Sequence, residues 1–394
     1  MNDQLERYIV GFDGTYHFRY RLSACFKLVP HIFKIYRYLK SAYGVKKTFL
    51  KVISDMLLLI WKFGAWVEAY YDVRDFVNDY FEERLYLIDR NIDKYILQYE
   101  GIRVFFAAGF KSMRQFKILD SKILFHEFCD KHKLPHGCCR GYIIRKGENV
   151  LWKSFDNKYN SIKELLRFGK MFCKVDLGEQ GKGTFSLQLE EDVLVVDSSY
   201  LDEKGLVGYM PADEMIVEDN LENHSVLKSL HPGSLQTIRM VTIKKPHEDV
   251  FVLASVLRMG RDGKIVDNLS SGGLCVLINP DGTLSAEAWS MDYTQPPYLA
   301  HPDTGIKFKS MKIPYWEQCI DLVCTAHQKL PRIVGIGWDV AITPTGPVLV
   351  EGNNYFGFTV LQVHGVPYRW ITEGEYKVLA ERNVNLMMCG RAEK

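Results

Sequence analysis

The sequence predicts an α+β protein, with two β-rich α+β lobes preceded by a mainly helical N-terminal region. Three observations lead there. Residues 16–78 carry apolar side chains three and four positions apart, which is the helical period. Past Ala107 the pattern changes to short β-rich runs: GYIIRK, MFCKVDL, TFSLQL, DVLVVD and EMIVED. A second β-rich block from Leu235 holds TIRMVTI, FVLASVLRMG, KIVDNLS, GLCVLIN, IVGIGWDVAI and GPVLVEGN. Turns at RDG, NPDG and TPTG separate these runs, and helices are expected over Lys122–His132 and Tyr315–Gln328. The implied units are 1–104, helical; 105–220, the first lobe; and 221–394, the second lobe with a C-terminal helix.

A chain of 394 residues, 47% hydrophobic, has enough material for a sizeable core. Its formal net charge of +2 does not call for a polyanionic partner, so nucleic acid is not expected. Nine cysteines without a CxxC pair fit a reducing compartment, and the cytoplasm is the expected location. The longest apolar run, Met56 to Trp61, falls far short of the roughly 20 residues that a membrane span needs. Between Gly14 and Ser54 there is no acidic residue, whereas Arg19, Arg21, Lys27, Lys34, Arg37, Lys40, Lys46, Lys47 and Lys51 are basic. That segment suits peripheral contact with the inner face of a membrane or with a lipid-linked substrate. The favoured reading is the plainer one, a helical subdomain with a solvated basic face.

The most informative stretch is GIGWDVAITPTGPVLVEGNNYFG, residues 335–357. Two apolar strands flank the turn at 343–346, an antiparallel hairpin pattern. Pairing about a centre near Thr345 sets Asp339 opposite Glu351, and strand alternation then puts Asn353 on the face of Glu351. Converging hard oxygen ligands of this kind suit Mg²⁺ with nucleotide phosphates completing its shell.

Upstream, Lys174 ends an apolar strand and precedes DLGEQGKGTFSL, where glycines including Gly181 and Gly183 permit inward-turned amides, and Lys182 adds charge, for a phosphate. Walker A and GxGxxG patterns are absent. Arg239 and Arg258 lie within strands, where a half-buried cation requires an anion or a carboxylate. The loop DNLSSGG offers the Asn268 side-chain oxygen to a metal and the Gly272 and Gly273 amides to a substrate. His126, His132 and His136 do not share one helical face and are read as surface or core histidines.

In this order, Lys122 in LDSKILFHEF, Lys174, the 178–183 loop, Glu218 in MIVEDNL, Arg239, Arg258, Asn268, and Asp339 with Glu351 and Asn353 resemble the ATP-grasp superfamily. SLQTIRMVTI, DNLSSGGL and GWDVAITPTGPVLVEGN are most similar to its sugar-transfer-associated group, linked to polysaccharide biosynthesis. One departure is that Ser121 stands between Asp120 and Lys122. The resemblance implies an ATP-grasp fold, two lobes clamping ATP. The hinge from Glu218 to Leu221 would meet adenine, Lys122 and Lys174 the α and β phosphates, and Asp339, Glu351 and Asn353 would hold Mg²⁺. Arg239 and Arg258 would hold the transferring phosphoryl group. The implied activity is that of a carboxylate–amine ligase working through an acylphosphate and forming an amide, with small-molecule carboxylate and amine substrates such as an amino acid or a sugar acid. A phosphotransferase of the same fold and an inactive ATP-binding scaffold remain as alternatives.

Overall fold

The computed structural model describes residues 113–371, apart from 179–182, 246–247, 264–266, 268, 270–271, 291–295 and 355, together with a scatter of residues between 26 and 57. Most of the expected helical region and of the basic segment, and the helix expected after Tyr368, lie outside the described residues. Within them, no helix is long and apolar enough to cross a membrane.

Two antiparallel sheets organise the described residues. The first has seven strands in the order β2-β1-β7-β3-β4-β5-β6. They are β1 (Cys139–Lys146), β2 (Asn149–Ser154), β3 (Met171–Lys174), β4 (Phe185–Glu190), β5 (Val193–Val196), β6 (Ser199–Leu201) and β7 (Glu214–Asp219). The second has six strands in the order β11-β10-β9-β8-β12-β13: β8 (Thr237–Lys244), β9 (Val250–Met259), β10 (Leu274–Ile278), β11 (Leu284–Trp289), β12 (Gly335–Thr343) and β13 (Gly346–Asn353). Helices α1 (Met113–Asp120) and α2 (Lys122–His132) precede the first sheet. Short helices α3 (Ile162–Leu166) and α4 (Glu203–Tyr209) cover it, and Leu165, Leu166 and Leu206 pack with Ile143, Phe185 and Val217. α5 (Ser225–Leu230) leads into the second sheet, α6 (Trp316–Gln328) packs on it, and α7 (Phe358–Gln362) follows β13.

Strand alternation divides the second sheet into two faces. Ile238, Met240, Leu257, Met259, Ile336, Trp338 and Val340 point into one core cluster with Trp316, Cys319 and Val323 of α6, whose buried positions recur at helical spacing. Between them, Val241, Ile243 and Val256 form a second cluster with Phe356, Phe358 and Leu361. Arg239, Arg258 and Asp339 alternate onto that second face. The first core is closed by a satisfied polar chain: Trp338 Nε1 donates to Thr242 Oγ1 at 2.7 Å, Thr242 Oγ1 meets His327 Nδ1 at 2.7 Å, and His327 Nε2 meets the Ile333 carbonyl at 3.0 Å.

The hairpin of β12 and β13 reaches the expected pairing by another route. Thr343 pairs with Gly346, so the loop is the two residues Pro344 and Thr345, and that register would set Val350 against Asp339. A bulge intervenes, with Val340 opposite Leu349 but Asp339 opposite Glu351. α1 and α2, placed by sequence in the first lobe, put Phe116, Leu119, Phe125 and Phe128 into the core of the second sheet, with Phe125 6.5 Å from Trp338 between ring centroids. Residues 135–136 also cover the outer edge of β13, where the Leu349 amide donates to the Pro135 carbonyl at 2.9 Å. The packing therefore cuts across a division at residue 220.

Close approach of backbone and side chain governs Gly337. A Cβ there would lie 2.5 Å from Phe356 Cβ and 3.3 Å from Arg239 Cδ. Gly337→Ala is expected to destabilise by about 1–3 kcal/mol in denaturant unfolding. Gly208→Ala, where nothing lies within 4 Å of the added Cβ on α4, should hold or gain up to about 1 kcal/mol.

Candidate active site between the two sheets

On the second sheet, Asp339 is 2% exposed and stands between its cross-strand partners Arg239 on β8 and Glu351 on β13. Arg239 grips it in a fork, Nε to Oδ1 at 2.6 Å and an η nitrogen to Oδ2 at 3.2 Å. Arg258, one strand further out on β9, donates to Asp339 Oδ2 at 2.8 Å and to Thr237 Oγ1 at 2.6 Å. Thr237 in turn donates its hydroxyl to Asp267 Oδ2 at 2.5 Å, and that oxygen lies 3.7 Å from Arg258 Nε. Burial would raise the Asp339 carboxyl, yet Arg239 and then Arg258 carry it down to about 2. Glu351 hydrogen-bonds Asp339 and is pushed above the usual range, by burial first and by the Asp339 charge second. Asn353 Nδ2 donates to Glu351 Oε1 at 3.2 Å.

The first sheet contributes cations. Lys174 at the end of β3 and Glu218 on β7 share one face in a diagonal pairing, and their side chains meet at 2.5 Å while both residues are buried. His126 of α2 closes the other oxygen, Nε2 to Glu218 Oε1 at 2.7 Å. Burial opposes ionisation of Glu218, but Lys174 and His126 outweigh it and bring the carboxyl to about 2. Ser121, the residue that interrupts the family pattern, is the N-cap of α2. Its hydroxyl accepts from the Leu124 amide at 3.3 Å and reaches Asp176 at 3.1 Å, while the Ile123 amide also donates to Asp176 Oδ1. The carboxylate of Asp176 thus sits on the helix N-terminus. Lys122, the next residue, bends to the carbonyls of Asp176 at 2.9 Å and Gly178 at 2.7 Å. Its pKa is lowered by burial first and then by Lys174, with Glu351, Asp176 and Glu218 opposing. Lys122 therefore lies close enough to both sheets to feel charges on each.

The structure thus brings together Lys122, Lys174, Glu218, Arg239, Arg258, Asp339, Glu351 and Asn353. Leu221 packs over Gly137, a Cβ on which would lie 3.6 Å away. Gly183 adopts φ +71° against Pro211 and Val175. Gly181, Lys182 and Asn268 lie outside the described residues. Gly272 differs from expectation, because its amide donates to the Leu269 carbonyl at 3.0 Å and its carbonyl accepts from Arg261 at 2.6 Å; Gly273 is buried. Sequence reasoning passed over Asp176, Thr237 and Asp267, and read His126 as a surface or core histidine without its partner Glu218. Asp267 and Thr237 lay inside or beside motifs already singled out. His126 and His136 do meet, Nδ1 to Nδ1 at 3.1 Å, because the chain turns back after α2 at Lys133, whose φ is 53°.

Two antiparallel sheets, one carrying Lys174 and the other the carboxylates and arginines, with Lys122 at a helix start feeling charges on both, define an ATP-grasp protein. The family model described as sugar-transfer associated ATP-grasp matches residues 104–367, and the chain belongs to that family. No curated protein matches the sequence. Among solved structures, the chain is similar to N5-carboxyaminoimidazole ribonucleotide synthetase in its ADP complex, with 11% identity over 62% of this chain and 46% of that one, TM-score 0.35. It is also similar to D-alanyl-alanine synthetase A from Vibrio cholerae, with 11% identity over 68% and 65% and TM-score 0.37, and to the D-alanine-D-alanine ligase from Coxiella burnetii, with 10% over 70% and 62% and TM-score 0.38. The matched region thus spans less than half the length of the first of these proteins.

The Glu218 geometry has a pH consequence. Its folded pKa, about 2, lies below its ordinary 4.5, so the pair with Lys174 stabilises the fold above pH 4.5 and that contribution is lost as pH falls toward 2. Glu218→Gln, which leaves Lys174 buried beside an uncharged partner, should cost about 3–5 kcal/mol at pH 7. The gap from wild type in denaturant unfolding should narrow steadily below pH 4.5.

Proposed function

We propose that the protein is an ATP- and Mg²⁺-dependent carboxylate–amine ligase. The observation that carries the reading is the row Glu351–Asp339–Arg239, flanked by Arg258 and approached by Lys122 from the start of α2. The donor set fits a hard cation: two carboxyls close enough to hydrogen-bond one another, with an Asn side chain at their edge. When bound, Mg²⁺·ATP supplies the phosphoryl group that turns a substrate carboxylate into an acylphosphate, from which an amine displaces phosphate.

Each residue then has a defined task. Arg239 and Arg258 keep Asp339 ionised, so this ligand has no proton to shed, and their remaining N–H groups are the donors for a transferring phosphoryl group. Lys174, oriented by Glu218, and Lys122, oriented by two loop carbonyls, present positive charge to the α and β phosphates. The backbone from Glu218 to Leu221 offers the adenine contact, and the 178–183 loop excludes water from the acylphosphate. An amino acid or a sugar acid in glycan or natural-product assembly is the proposed acceptor class, in keeping with the sugar-transfer family. The basic, acid-free segment before Ser54 is assigned to peripheral membrane contact at the cytoplasmic face, checked by co-sedimentation of the full chain with anionic but not neutral vesicles.

Turnover of ATP by purified protein, assayed against pools of amino acids and uronic acids, should yield ADP, phosphate and a condensed product. EDTA should stop it and Mg²⁺ restore it. Glu351→Gln and Arg258→Gln should each lower turnover by about 10²-fold or more. A phosphorylated acceptor without condensation would replace the reading with a phosphotransferase, and ATP binding without turnover across the pools would replace it with a scaffold.

A further inference from the structure

Away from these residues, a second cluster joins three segments distant in sequence. His231 follows α5, Gly260 and Asp262 follow β9, and His301 and Asp303 lie between β11 and α6. One ligand-capable atom from each of His231, His301 and Asp303 lies within 4.8 Å of the other two. We propose that His231, His301 and Asp303 form a site for a single Zn²⁺-like divalent cation that staples this end of the second sheet.

Four features carry the inference. The separation of His231 Nδ1 from Asp303 Oδ2 is 3.3 Å. That is long for a charge-assisted hydrogen bond, about 2.7–2.9 Å. It equals the ligand–ligand edge, roughly 3.3 Å, of a tetrahedron with metal–ligand bonds near 2.0–2.1 Å. His301 donates its outer Nε2–H to the Gly260 carbonyl at 2.9 Å, which makes Nδ1 the acceptor nitrogen; it accepts a hydrogen bond from the Asp303 amide at 3.3 Å, which a cation would replace. A metal-ligating histidine is held in this way, its other ring nitrogen tied to a carbonyl. The two imidazoles are stacked at 5.3 Å and 24° and are 3% and 0% exposed, so neither ring swings freely. The Asp303 side chain is 28% exposed, which leaves an entry path and a position for water.

The framework exists without the ion. The Asp262 amide donates to Asp303 Oδ2 at 2.8 Å, and Thr304 Oγ1 donates to the Leu230 carbonyl at 2.9 Å, so the segments are already in place. Two imidazoles and one carboxylate select Zn²⁺ over Mg²⁺, in contrast to the oxygen set at Asp339 and Glu351.

The test is zinc content by mass spectrometry after dialysis of the full chain against Zn²⁺ with excess Mg²⁺ to mask the oxygen site, paired with Co²⁺ absorption. Wild type should keep a single equivalent, show tetrahedral Co²⁺ bands without thiolate charge transfer, and melt at higher temperature with Zn²⁺. Asp303→Asn, at the exposed ligand, and His301→Gln should each weaken binding by more than about tenfold. Glu351→Gln should bind as wild type does. The proposal is overturned if wild type retains no zinc, if both ligand variants retain it undiminished, if Glu351→Gln loses it, or if a thiolate band assigns the metal to cysteine.

Discussion

The seat of Asp339 between Arg239 and Arg258 is the interaction on which the second sheet depends. A carboxylate 2% exposed in the middle of β12 would be prohibitively costly unpaired. Two guanidinium groups, from the next strand and the one beyond it, satisfy it from one side. That arrangement requires β12, β8 and β9 to keep one register. A slip of a single residue in β12 would send Asp339 into the apolar core with Trp316 and turn Trp338 onto the charged face, so packing and charge enforce the same alignment.

Glu351 sits on the opposite side of Asp339 and gains nothing comparable. Burial first, and then the charge of the already ionised Asp339 to which it hydrogen-bonds, favour its protonation. Ionising a second carboxyl there is opposed by burial and by its neighbour's charge. The β-bulge at Val350 that brings it into line is a local irregularity of the kind found where a strand must aim a side chain.

The lysines owe their positions to a different device. α2 is capped by Ser121, and Asp176, just past the end of β3, sits on its first turn, so the helix start is tied to the strand that carries Lys174. α1 and α2 meanwhile bury their phenylalanines in the core of the second sheet. One helical pair therefore couples the two sheets, apolar side to one and polar start to the other, and sets the distance across which Lys122 and Glu351 act on each other.

Much of this was legible in the residues. β-branched runs marked most strands, the TPTG turn marked the hairpin, and the spacing of Asp339, Glu351 and Asn353 identified the carboxylate patch, because strand periodicity and turn chemistry are local. The weaker strands β2, β6 and β11 escaped notice because half-exposed or very short edge strands carry little apolar alternation. The sequence by itself determined the α+β class, the order of the stronger strands and of the two longer helices, and which residue types face one another within a hairpin. Only the tertiary structure decided that Glu218 is bound by His126 and Lys174, that α1 and α2 belong to the second core, and that His231, His301 and Asp303 converge. Those side chains meet through chain reversals and sheet order, with His126 and Glu218 92 positions apart, and no local pattern records which distant segments a fold will press together.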